Sequence, residues 1–181
     1  MNFNSWQYLV FFPIIFFLYY AITAKNKKWS NKISQIMLLA ASLFFYACWN
    51  PVYLLLILFS VVVTRYSGII MEGKTQRQKC FVLAGSLVIN LGILFFFKYY
   101  NFFANTFVMF TPVHLPSFNV LLPVGISFYT FQALGYSIDM YRGTVKAERD
   151  FINYALFVTF FPQLVAGPIE RTASLLPQFK V

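Results

Sequence analysis

The polar side chains best placed to do chemistry in this sequence lie where they are most expensive to keep. Between Leu121 and Gly143, in LLPVGISFYTFQALGYSIDMYRG, an apolar stretch long enough to cross a bilayer carries Ser127, Tyr129, Thr130, Gln132, Tyr136, Ser137 and Asp139. At about 100° per residue, a helix gathers Gly125, Tyr129, Gln132, Tyr136 and Asp139 into an arc of roughly 80° and leaves Phe131, Leu134 and Ile138 on the other side. A carboxylate at membrane depth costs roughly 3 kcal/mol on insertion scales, so Asp139 should face protein or water. Arg142, three residues on, is its partner at helical spacing. The stripe suits a functional cavity, but on its own it suits hydrogen bonds to a neighbouring helix somewhat better, each worth about 0.6 kcal/mol. On the residues alone both readings stand.

Other reactive constellations are weak. Gly125-Ile126-Ser127-Phe128-Tyr129 starts like a nucleophile elbow but has tyrosine where the last glycine belongs, and it falls inside a helix rather than at a strand-to-helix turn. His114, the single histidine, sits between two loop prolines with no carboxylate or nucleophile beside it. Neither it nor Cys48 and Cys80 has metal-ligand spacing. The cysteines read as small core residues near opposite membrane faces, too far apart for a disulfide. No phosphate-binding loop or dinucleotide fingerprint is present.

The elements that must position the stripe follow from composition. Of 181 residues, 60% are apolar and only 10% charged, too few charges to build a soluble surface. The chain therefore reads as an all-α, polytopic integral membrane protein. Its formal net charge of +9 is clustered at Lys25–Lys32, Arg65–Lys79 and Arg142–Arg149, between apolar spans. That is the positive-inside pattern rather than a nucleic-acid surface. The partner it implies is the lipid bilayer, with an attraction to anionic cytoplasmic-leaflet lipid as a side effect.

About six spans follow. Trp6–Ala24 is uncharged and precedes its lysines, unlike a signal peptide, so it anchors with the N-terminus outside. Ile33–Thr64 holds no charge and is too long for one span; Asn50-Pro51 divides it into helices near Ile33–Trp49 and Val52–Ile70. Cys80–Phe97 is a fourth span, with Gly85, Ile89 and Gly92 offering a smooth strip to another helix and Asn90 an interhelix hydrogen bond. Beyond Lys98, the aromatic run to Phe110 reads as a segment lying along the outer interface. The stripe-bearing helix is fifth. Phe151–Ala166 is the sixth, kinked by Pro162. No repeat or soluble domain is visible.

Several stretches together carry a resemblance. LPVGISFYTFQALGYSIDMYRG (Leu122–Gly143), FPQLVAGPIER (Phe161–Arg171) and LLPQF (Leu175–Phe179), with SLFFYACWNP (Ser42–Pro51) and FFKYYNFF (Phe96–Phe103), closely resemble the membrane-bound O-acyltransferase family, in its alginate O-acetyltransferase membrane-subunit branch. The resemblance implies a multi-pass protein of the bacterial cytoplasmic (inner) membrane that passes an acyl group toward hydroxyls of an exported polysaccharide. The donor, acetyl-CoA or another acyl carrier, would enter from the cytoplasm as co-substrate rather than as a bound cofactor, and an extracytoplasmic acetyltransferase partner is implied. The family's catalytic histidine lies in a later segment, so no catalytic residue is carried onto this chain, and residues 1–181 read as the N-terminal part of one membrane acyltransferase domain, inactive alone. The resemblance adds Gln163, Gly167, Pro168, Glu170 and Arg171 to Gly125, Tyr129, Gln132, Tyr136, Asp139 and Arg142 as lining of a tunnel through which substrates meet. A multi-pass transporter or channel, or a non-catalytic membrane scaffold, is the alternative.

Overall fold

The computed structural model describes residues 5–24, 27–110, 122–167 and 170–179. Among the described residues, regular secondary structure is entirely helical: α1 (Trp6–Thr23), α2 (Lys27–Ala47), α3 (Pro51–Met71), α4 (Gln76–Phe110), α5 (Ile126–Arg142), α6 (Phe151–Thr159), α7 (Phe161–Ala166) and α8 (Thr172–Gln178). α1, α3 and α4 are each long and apolar enough to cross a membrane, and the chain is a membrane protein.

Local sequence sets the boundaries. α3 starts where Asn50 Oδ1 accepts from the Val52 N–H at 2.9 Å and Pro51 takes the first helical position, where no N–H is needed. α5 lies between two left-handed glycines, Gly125 (φ 72°) and Gly143 (φ 75°), a conformation costly for any residue with a Cβ. It therefore begins at Ile126, later than hydropathy suggests, and is only 17 residues long.

Two spans differ from the sequence expectation. The aromatic run after Lys98 is not a separate interfacial segment: α4 continues unbroken for 35 residues, because nothing between Phe97 and Phe110 breaks a helix. The sixth span is not one kinked helix. It breaks at Phe160 (φ −55°, ψ 110°), the residue two before Pro162, and restarts as α7 with the proline in its first turn. The freed Phe161 N–H donates to Ser42 Oγ of α2 at 3.3 Å.

α3, α4 and α5 pack on one another, α2 bridges α1 to α6 and α7, and α8 rests on α5 and α6. Ile57, Val61 and Met71 of α3, Ala133 and Tyr136 of α5, and Tyr154 and Phe157 of α6 are core residues. Asn90 does bond across helices, accepting from Ser60 Oγ at 2.5 Å. Gly85 and Gly92 instead face open space, and no described helix covers the strip they form. Cys48, in the turn after α2, and Cys80, in the first turns of α4, are exposed rather than core residues.

Asp150 ties the start of α6 down. Its Oδ1 caps the Ile152 and Asn153 N–H groups at 2.9 and 3.5 Å, and its Oδ2 pairs with Lys32 of α2. Partial burial works against the charge, but the Lys32 hydrogen bond and the capped N–H groups prevail and hold the carboxyl below its ordinary 3.8. Because folding lowers this pKa, its contribution is complete above the unfolded value and lost as pH falls through the folded one. Asp150→Ala is expected to cost about 1 kcal/mol at neutral pH, as cap removals do. Thermal unfolding in micelles should show the gap between wild type and variant closing in acid.

Candidate functional site

The predicted stripe divides into two parts in space. Tyr129 and Gln132 meet α7, whereas Tyr136 and Asp139 lie toward the basic end of the bundle. The break at Phe160 makes the first part: it re-aims α7 so that Gln163 Nε2 donates to Gln132 Oε1 at 3.3 Å. Leu164 of the same helix presses on Gly125, where a Cβ would stand 2.7 Å from the Leu164 carbonyl oxygen. Between them is a pocket of about 10 Å³, room for one water, lined by Phe128, Tyr129, Gln132, Val158, Phe160, Gln163 and Leu164. Tyr129 is 2% exposed and Gln132 4%, yet the Tyr129 hydroxyl and Gln132 Nε2 have no hydrogen-bond partner. Tyr46 is close enough to act on Tyr129 electrostatically, with its ring edge-on at 6.5 Å, but its hydroxyl donates to the Val124 carbonyl at 3.1 Å and makes no well-formed hydrogen bond with Tyr129.

The second part is a polar anchor. Tyr136 is fully buried and its ring fills the space over Gly68 of α3, where a Cβ would be 2.6 Å from the hydroxyl oxygen. That hydroxyl accepts the Glu148 N–H at 3.0 Å. The buried Glu148 carboxylate accepts from the Asp150 N–H at 3.0 Å and Asn153 Nδ2 at 2.9 Å. Arg65 of α3 bonds the Arg149 carbonyl, and Arg149 pairs with Glu72 at 2.9 Å. The loop between α5 and α6 is thus fastened to α3 at several points.

Asp139 and Arg142 do not pair. Gly143 ends the helix in a Schellman turn, in which the Thr144 N–H bonds the Asp139 carbonyl at 3.0 Å. Arg142 is left exposed and Asp139 half-buried. The far side of α5 is also less lipid-like than periodicity implies: Phe131 is 45% exposed, but Leu134 is 3% exposed because helices enclose more than one face. The structure therefore brings together Gly125, Tyr129, Gln132 and Gln163, with Gly167 half-buried against the Gln163 backbone. Glu170 and Arg171 are exposed and take no part in the pocket. Pro168 and His114 lie outside the described residues. Sequence reasoning missed Glu148, whose place in a basic loop reads as solvated. It also missed Tyr154, whose hydroxyl donates to Thr64 Oγ1 at 2.7 Å.

No family model and no solved structure matches the chain. Curated proteins do. The chain is 34% identical, over 94% of its length, to a peptidoglycan O-acetyltransferase of Helicobacter pylori, of which it covers 37%. It is 37% identical, over 99% of its length, to the "probable alginate O-acetylase AlgI" of Pseudomonas syringae, of which it covers 35%. A weaker likeness, 29% over 52% of the chain, reaches a teichoic acid D-alanyltransferase of Bacillus subtilis, of which it covers 24%. The chain spans about one third of the length of the two O-acetyltransferases. Over nearly all its residues the chain is similar to these O-acetyltransferases, as its resemblance to the membrane-bound O-acyltransferase family implies.

Proposed function

We propose that the chain forms part of a membrane enzyme that moves an acyl group, acetyl in the first instance, from a cytoplasmic donor such as acetyl-CoA to hydroxyls of an exported polysaccharide. The observation that carries this reading is the seam between α5 and α7: a buried phenol and a buried amide, with a second, half-buried amide, around a water-sized pocket. Such groups cost free energy at membrane depth unless something polar uses them. The relatives' names supply the chemistry, an acyl group and a cell-surface polymer. In the reaction the acceptor oxygen bonds to the acyl carbon, the carbon–sulfur bond to the donor breaks, and the hydroxyl proton passes to a base outside these residues. An extracytoplasmic acetyltransferase would receive the group or present the polymer.

Transfer of labelled acetyl from acetyl-CoA should be measured with the full gene product and with residues 1–181 alone. The short chain is expected to be slower by at least ~10²–10⁴-fold, the usual contribution of a general acid–base group. Comparable rates would refute this division of labour. Orientation has its own test, because the protein sits in the cytoplasmic membrane with its N-terminus outside on this reading. Cys48 and Cys80 are exposed near opposite ends of the bundle. An impermeant maleimide added to intact cells is expected to label Cys48 and spare Cys80; the reverse pattern inverts the topology.

A further inference from the structure

Few buried side-chain polar atoms lack a hydrogen bond among the described residues, and two of them, Tyr129 Oη and Gln132 Nε2, belong to residues that line the same pocket. Both can donate. Gln132 Oε1 already accepts from Gln163 Nε2, which fixes the amide and leaves its NH₂ as the unused end. The pocket of about 10 Å³ takes one oxygen-sized group. Phe128, 40% exposed, and the half-buried Phe160 and Gln163 form its rim, so a group can reach it from outside the described bundle. Two donors on residues that line a space for a single atom match an acceptor oxygen.

We propose that Tyr129 O–H and Gln132 N–H form a two-donor cradle for the carbonyl oxygen of the acyl group in transit. The proposal rests on the acyl-transfer reading and deepens it. When the acceptor hydroxyl oxygen bonds to the carbonyl carbon, the π pair moves onto the cradled oxygen. It returns as the carbon–sulfur bond breaks, and the sulfur leaves as thiol, its proton coming from the hydroxyl by way of the base. Donors held in place where that charge develops lower the barrier more than they tighten ground-state binding. Gln163 is then a positioning residue, acting through the orientation of the Gln132 amide.

The test uses the full gene product with acetyl-CoA labelled with ¹³C at the acetyl carbonyl, followed by infrared difference spectroscopy and by turnover. The bound carbonyl stretch is expected at lower wavenumber than in free acetyl-CoA and should move back in Tyr129→Phe and Gln132→Met. In each variant kcat should fall about a hundredfold, with KM nearly unchanged. Tyr129→Phe removes only an unpartnered oxygen, so thermal unfolding should show it as stable as wild type. If both variants keep the shifted stretch and wild-type turnover, the cradle is overturned while acyl transfer stands. If the unsubstituted protein transfers no acetyl to any hydroxyl acceptor, the acyl-transfer reading itself falls, and the cradle falls with it.

Discussion

Gly125→Ala is expected to destabilise the protein by about 3 kcal/mol. Two costs add. A residue with a Cβ pays roughly 1–2 kcal/mol to hold the left-handed conformation, and Gly125 has φ 72°. The new methyl would also stand 2.7 Å from the Leu164 carbonyl oxygen and 3.1 Å from Leu164 Cδ2. A backbone oxygen cannot swing aside, so α7 must retreat, at a cost of the kind overpacking brings, ~1–3 kcal/mol. Gly135→Ala is the control: nothing lies within 4 Å of its added Cβ and its backbone is helical, so it should be neutral or stabilising by up to about 1 kcal/mol. Thermal unfolding of the two variants in the same micelles checks the contrast. Equal midpoints would mean that α7 does not press on the start of α5.

Glu148→Ala should cost a comparable 2–4 kcal/mol, from one buried and one part-buried donor losing their acceptor at about 1–3 kcal/mol each and partly recovering through water. The donors are Asn153 Nδ2 and the Asp150 N–H, both near 3 Å from the carboxylate. Glu148→Gln keeps one acceptor oxygen in the same volume and should lose less. The loop carries Lys146 and Arg149, so its loosening is open to trypsin. Cleavage there is expected to rise in the alanine variant well before the helices unfold, and unchanged cleavage would show that Tyr136 and Arg65 suffice to hold the loop.

What could be read in advance and what could not follow physical lines. Asn50-Pro51 announced the start of α3 because cap and proline chemistry act within a few residues. Asn90 announced an interhelix bond because an amide at mid-depth has few other outcomes. The Gln132–Gln163 contact was not legible, since it depends on where α7 points after the break at Phe160, and only tertiary packing decides that. Helical spacing suggested a pair between Asp139 and Arg142, but Gly143 turns the chain immediately afterwards. Periodicity placed Leu134 toward lipid because it assumes one buried face, whereas α5 is enclosed on several.

The length of α4 sets a limit that the bilayer itself enforces. Its 35 residues make a rod of about 52 Å, and even leaning by 40°, near the steepest seen, it would reach about 40 Å along the normal against some 30 Å of hydrocarbon. Roughly two turns must therefore stand clear of the oily layer. With the basic Arg77–Lys79 turn held at one surface, the overhang falls at the opposite end, in the last two turns beyond Phe103. A mast that outreaches the acyl chains makes this tip sensitive to membrane thickness.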